Sequence, residues 1–180
     1  MAHARVRPNP ILWAGAAALL LAPVVAMRFT AEVNWTAADF ITFGVMLAVA
    51  GGAYELLAHR PQRAGYRIGA GLAVLTGFLL LWVDLAVGII GTEYNRANLL
   101  YMGVLAIAIG ASIAASARPA GMVRAMLATA AAQVTIGIAA IAGRCGGDGT
   151  GWPTDVIGAT GLFTVLWLTA ALLFSRAARN

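Results

Sequence analysis

Apolar residues gather in six long runs, separated by short stretches of Arg, Asp, Glu, Asn, Gly and Pro. These runs predict helices over 10–27, 37–58, 66–91, 97–117, 120–142 and 154–175. Each lies in or near the range of about 17–25 residues that a helix needs to cross the hydrocarbon of a bilayer. No connecting stretch is long enough to form a soluble domain. The pattern therefore predicts an all-α polytopic transmembrane helical bundle, a single integral membrane domain over 1–180.

The third run, Tyr66 to Gly91, carries a carboxylate, Asp84, in an otherwise apolar span. As one helix over the whole run it puts Asp84 about 9 Å past the midpoint, within the hydrocarbon. A charge there is costly unless it is protonated, paired or facing an aqueous cavity, so Asp84 is the first candidate intramembrane polar site. Gly65, Gly69, Ala73 and Gly77 recur every four residues, and the same stripe continues through Leu81, Asp84 and Gly88. Small residues at that spacing mark a helix-packing face, so Asp84 is expected to point into protein and not at lipid. The second run has a matching groove at Gly44, Ala48 and Gly52, which predicts close packing of the second and third helices.

Other polar positions refine the map. The first run follows Arg5 and Arg7 and lacks a small-residue cleavage site before Arg28, so it reads as a retained helix, with Pro23 bending it or ending its regular hydrogen bonding. Thr36 and Asp39 form a helix-start signature beside Trp35, which makes Asp39 a capping charge. Glu55 is followed by His59 and Arg60, a candidate cytoplasmic interface in which Glu55 pairs with these or with a loop arginine. Pro119 suits the first turn of the fifth helix. Gln133 lies near the centre of that helix, on one stripe with Ala125, Thr129 and Gly137, and is the second buried polar group. The glycine-rich segment from Gly143 to Pro153 lacks the strand and lysine of a phosphate loop and reads as a flexible connector, and its Asp148 is an exposed aspartate without a ligand role.

Charge sets the topology. All twelve basic residues are arginine. Nine (Arg5, Arg7, Arg60, Arg63, Arg67, Arg118, Arg124, Arg176, Arg179) fall on one side of a six-span chain and three (Arg28, Arg96, Arg144) on the other. The positive-inside rule then puts both termini in the cytoplasm. The arginines are spread along loops, so the net charge of +5 reflects topology and not a nucleic-acid partner. The partners expected are the lipid bilayer and a homo-oligomer or larger membrane complex. A lone Cys145 and two histidines, His3 and His59, leave no disulfide, metal cluster or bis-histidine haem to build, and no cofactor is expected.

No HExxH, GxSxG or strand-borne GxGxxG is present, and Glu55 and Asp84 lie on the order of 20 Å apart along the membrane normal. An enzyme is not expected. The sequence favours a structural or accessory membrane subunit in which Asp84 is tied to an arginine such as Arg28 or Arg96. The alternative is a small proton- or cation-coupled transporter or channel that uses Asp84 as its intramembrane site, helped by Gln133, Thr76 and Tyr101.

At Val33-Asn34-Trp35-Thr36, Asp39-Phe40, Tyr54-Glu55-Leu56 and Gly88-Ile89-Ile90-Gly91-Thr92-Glu93, with Asn95 and Asn98 beyond, the chain resembles a group of small uncharacterised multi-pass proteins of proteobacterial inner membranes. The resemblance covers most of the chain. It implies an inner-membrane location and a multi-pass topology, and it assigns no catalytic or binding residue, since no activity is established for the group. It also directs attention to Trp35, Asp39, Glu93, Asn95 and Arg96 as the lining of an outward-facing vestibule above Asp84.

Overall fold

Six α-helices and one 3-10 turn make up the regular structure of the computed structural model, which describes residues 9–58, 63–147 and 151–179. The helices are α1 (Pro10–Phe29), α2 (Ala37–Ala58), α3 (Ala64–Ala86), α4 (Leu99–Ala115), α5 (Pro119–Ala142) and α6 (Thr154–Arg179), and the 3-10 turn Arg96–Asn98 leads into α4. There is no strand among the described residues. Each helix, with the 3-10 turn counted into α4, is long and apolar enough to cross a membrane. Helices satisfy their own backbone polar groups in lipid, and the chain is accordingly an all-α, multi-pass membrane protein.

Contacts divide the chain into two compact units, Met1–Pro61 and Gln62–Asn180. In the first, Asn9 caps α1 by accepting from the Ile11 amide at 3.1 Å, with Pro10 in the first turn, where a missing N–H costs nothing. The helix runs through Pro23 without ending. At the start of α2, the Asp39 carboxylate accepts from the Thr36 amide at 2.7 Å and from the Thr36 hydroxyl at 2.8 Å. Gly44 and Gly51 let α2 approach α1: a side chain on Gly44 would meet Leu20, and one on Gly51 would come within 3.3 Å of the Trp13 ring. Of the groove predicted at Gly44, Ala48 and Gly52, Gly44 thus faces a partner within its own unit, Gly51 takes the close approach in place of Gly52, and a side chain on Gly52 would meet nothing within 4 Å.

The second unit is a four-helix ring in which α3 packs on α4 and α6, and α5 packs on α4 and α6. The stripe on α3 is spent inside this ring. A side chain on Gly69 would press on Leu173 and Phe174, and one on Gly77 would touch Leu105 and Trp167. The Tyr66 ring packs edge-on against Phe174 at 5.0 Å. Between α4 and α5, Ser116 and Ala117 take the left-handed conformation, and Arg118 is extended, as a residue before proline prefers. Pro119 then occupies the first turn of α5.

The third helix differs from its predicted span of 66–91. It stops at Ala86, and Gly88 turns the chain at φ +71°. Only glycine reaches that conformation without strain, and here a β-carbon would also collide with Thr92 and the Asn98 amide. Asp84 therefore sits in the last turn of α3, nearer the end of the bundle than a single 66–91 helix would put it.

Candidate functional site

The segment between α3 and α4 is built around Asn98. Its Oδ1 accepts from the amides of Ile89 at 3.1 Å and Ile90 at 2.7 Å, while its Nδ2 donates to the Thr92 carbonyl at 2.8 Å. Ile89, Ile90 and Asn98 are all buried, so the chain folds back over the end of α3 and does not run out into solvent. Asn95 adds a second tie. Its Oδ1 caps the 3-10 turn by accepting from the Ala97 amide at 3.0 Å, and its Nδ2 donates to the Cys145 carbonyl at 2.6 Å. Gly91 and Gly146 meet backbone to backbone at the same place: a β-carbon on Gly146 would collide with the Gly91 amide at 2.9 Å, and one on Gly91 would press on Gly146 at 3.3 Å. The α3–α4 and α5–α6 connections are thereby fastened together at one end of the ring.

Beneath this roof lies a cleft of about 260 Å³ lined by Asp84, Glu93, Tyr94, Asn95, Arg96 and Asn98 together with Leu85, Leu99 and Met102. Asp84 is only 5% exposed, and its Oδ1 is buried with no hydrogen-bond partner. Three of the predicted vestibule residues, Glu93, Asn95 and Arg96, thus share a cavity with Asp84. Arg96 lines the cleft without bonding to that oxygen. A buried unpaired carboxylate oxygen is costly, about 1–3 kcal/mol or more, and such groups are retained where a ligand or proton completes them.

The other predicted intramembrane residues lie in the same unit. The Tyr101 hydroxyl is buried beside Thr160 and within electrostatic reach of Asp84. Gln133 is 0% exposed, and neither its Oε1 nor its Nε2 has a partner. Thr76 is satisfied locally, its hydroxyl donating to the Leu72 carbonyl at 2.7 Å. On α6 the Thr164 hydroxyl and the Trp167 indole N–H are buried without partners as well, and the buried Thr160 hydroxyl has Tyr101 beside it. Sequence reading missed these three. Their spacing of four and three residues on one face of an apolar helix was the available signal.

The remaining predicted residues belong to the first unit. Trp35 packs edge-on against Phe40 and Phe43, each at 5.3 Å, and Asp39 makes the capping bonds described above. Glu55 accepts from the Asn9 amide at 2.6 Å and from the Trp13 indole at 3.0 Å, so its carboxylate serves the start of α1. A carboxylate is favoured at a helix N-terminus. His59 and Arg60 lie outside the described residues. Among the described residues no group of three or more His, Cys, Asp or Glu side chains is arranged to hold a metal ion. Comparison with protein-family models, curated proteins and solved structures finds no match to this chain.

Proposed function

We propose that this protein is a small transport protein of the bacterial inner membrane, with both termini in the cytoplasm, in which Asp84 takes up a proton or small cation from an outward-facing cleft. The observation that carries the reading is the buried Asp84 Oδ1, unpartnered at a cleft whose rim holds Glu93, Asn95 and Arg96. A carboxylate fixed in a structural ion pair would have its oxygens engaged by an arginine, because an unpaired charge in a low-dielectric setting is strongly disfavoured. The orientation rests on the arginine distribution, which sets the roof of the cleft on the arginine-poor side. The chemistry of the site supports binding and release and not catalysis: the cleft lining contains no Ser, Cys or His to pair with the carboxylate as nucleophile or base.

Proteoliposomes test this directly. With an imposed gradient of protons, sodium or potassium, the wild type is expected to dissipate at least one of them, and Asp84→Asn is expected to abolish that flux. Wild-type liposomes as tight as empty ones to all three ions would refute the reading and return the protein to the accessory class.

A further inference from the structure

The helix register aligns the unpartnered polar atoms of the bundle. Gly77 of α3 lies against Trp167 of α6, and continuing the antiparallel register by seven residues brings Asp84 level with Thr160. Gly137 of α5 lies against Thr160, where a methyl group would collide with the threonine side chain, and one turn further in this brings Gln133 level with Thr164. Asp84, Tyr101 and Thr160 thus form an outer tier, Gln133 and Thr164 a second and Trp167 a third, over a depth of about 10 Å at helical rise. Each tier carries at least one buried polar atom with no partner. Beyond Trp167, Thr129 and Thr76 turn their hydroxyls back to Ala125 and Leu72, and the residues buried toward that end include Met122, Met126 and Phe174, the last against the Tyr66 ring.

These atoms ask for a particular occupant. Gln133 Nε2 and Trp167 Nε1 are donors that need acceptors, while Gln133 Oε1 and the hydroxyls can accept or donate. A metal ion would want oxygen ligands all round and would be repelled by the two N–H groups. Water satisfies both kinds of atom, since a buried water makes two to four hydrogen bonds to groups otherwise left unpaired.

We infer that the α3–α6 ring holds a file of water molecules running from Asp84 past Thr160 to Gln133, Thr164 and Trp167, and that the species taken up at Asp84 is the proton. The inference rests on the transport reading of Asp84 and narrows it. Asp84 accepts a proton from hydronium in the cleft, which is left as water, and an O–H bond forms on its carboxylate. That bond breaks as the proton passes to the first water of the file, which becomes hydronium, and the charge moves on by the same exchange from water to water. Gln133, Thr160, Thr164 and Trp167 keep their own protons and orient the waters. Met122, Met126 and Phe174 lie beyond the last water of the file, so the proton leaves only when the ring loosens there and the last hydronium gives it to water on the far side, becoming water again.

Radiolytic hydroxyl-radical footprinting of the purified full-length protein tests for the file without needing flux, because radicals formed from bound water oxidise the side chains beside it. Trp167 and Phe174 are 1% and 0% exposed, so bulk solvent reaches neither. After correction for intrinsic reactivity, Trp167 is expected to be oxidised several-fold more than Phe174, and Thr164→Val is expected to reduce that excess. Equal labelling overturns the water file and leaves the Asp84 reading intact if flux persists. In proteoliposomes, Gln133→Leu is expected to slow proton flux at least tenfold; unchanged flux, or sodium or potassium flux without proton flux, overturns the inference. Labelling of Trp167 in a protein that moves no ion at all overturns the transport reading, and the proton path with it.

Discussion

Replacing Asn98 with alanine removes the three side-chain hydrogen bonds that Asn98 makes to the segment after α3. Two buried amides, those of Ile89 and Ile90, lose their shared acceptor, and the Thr92 carbonyl loses its donor. A buried donor left without a partner costs about 1–3 kcal/mol, so the amides alone account for about 2–6 kcal/mol. Ile89 and Ile90 are 2% and 0% exposed, which keeps bulk water from replacing the lost oxygen. A water seated in the space vacated by the carboxamide would restore part of the loss, and the expected destabilisation is about 2–4 kcal/mol. Asn98→Asp keeps an acceptor for both amides while setting a carboxylate against the Thr92 carbonyl, so it should cost less than the alanine variant. Reversible unfolding in mixed micelles measures both. An Asn98→Ala protein within about 0.5 kcal/mol of wild type, or an order in which aspartate is worse than alanine, would refute the assignment of Asn98 as the organiser of this segment.

Three further outcomes follow from the geometry. Asp84→Asn should leave stability unchanged or raise it, since it removes a buried negative charge that no cation pairs with; a loss beyond about 1 kcal/mol in the same unfolding assay would reveal a charged partner that the carboxylate relies on. Gly137→Ala should destabilise by about 1–3 kcal/mol through collision with Thr160, and a Thr160→Ala change in the same chain should recover most of that, a coupling that a double-mutant cycle reads directly. Asp39→Ala should cost about 1 kcal/mol through loss of the bonds to Thr36, and an effect below about 0.2 kcal/mol would show that α2 does not depend on this cap.

Hydropathy alone was enough to find the six membrane helices, because a span is a local property of composition. The end of α3 was not visible in the same way. Val87 to Ile90 is as apolar as the helix before it, and what stops the helix is the side-chain carboxamide of Asn98, eight and nine residues away in sequence from the amides it accepts from, acting with Gly88 at positive φ. The stripe Gly65, Gly69, Ala73 and Gly77 marked a packing face, but it carries no information on which helix fills it, and in the structure Gly69 and Gly77 lie against α6, with Leu105 of α4 also beside Gly77. Asp84 and Gln133 stood out as rare polar residues in apolar runs. Thr160 and Thr164 did not, because a threonine in an apolar helix commonly bonds its own backbone, as Thr169 does to Val165 at 2.7 Å. Whether a hydroxyl is satisfied locally or left facing the interior depends on the opposing helix, here the glycine at 137.

The closure of the ring by α3 against α6 bears on how the protein is made. The helix that carries Asp84 leaves the ribosome well before the last helix exists, and at about 5–20 residues per second α6 follows it by several seconds or more. Until α6 arrives, Asp84 has the α3–α4 segment and α4 beside it but lacks the α6 side of the ring, and a carboxylate left partly open to lipid is costly. The insertion machinery must therefore keep α3 sheltered, or let it settle shallowly, until the final span is delivered. A ribosome-bound chain ending before Thr154 would be a biosynthetic intermediate with its acidic helix only partly housed.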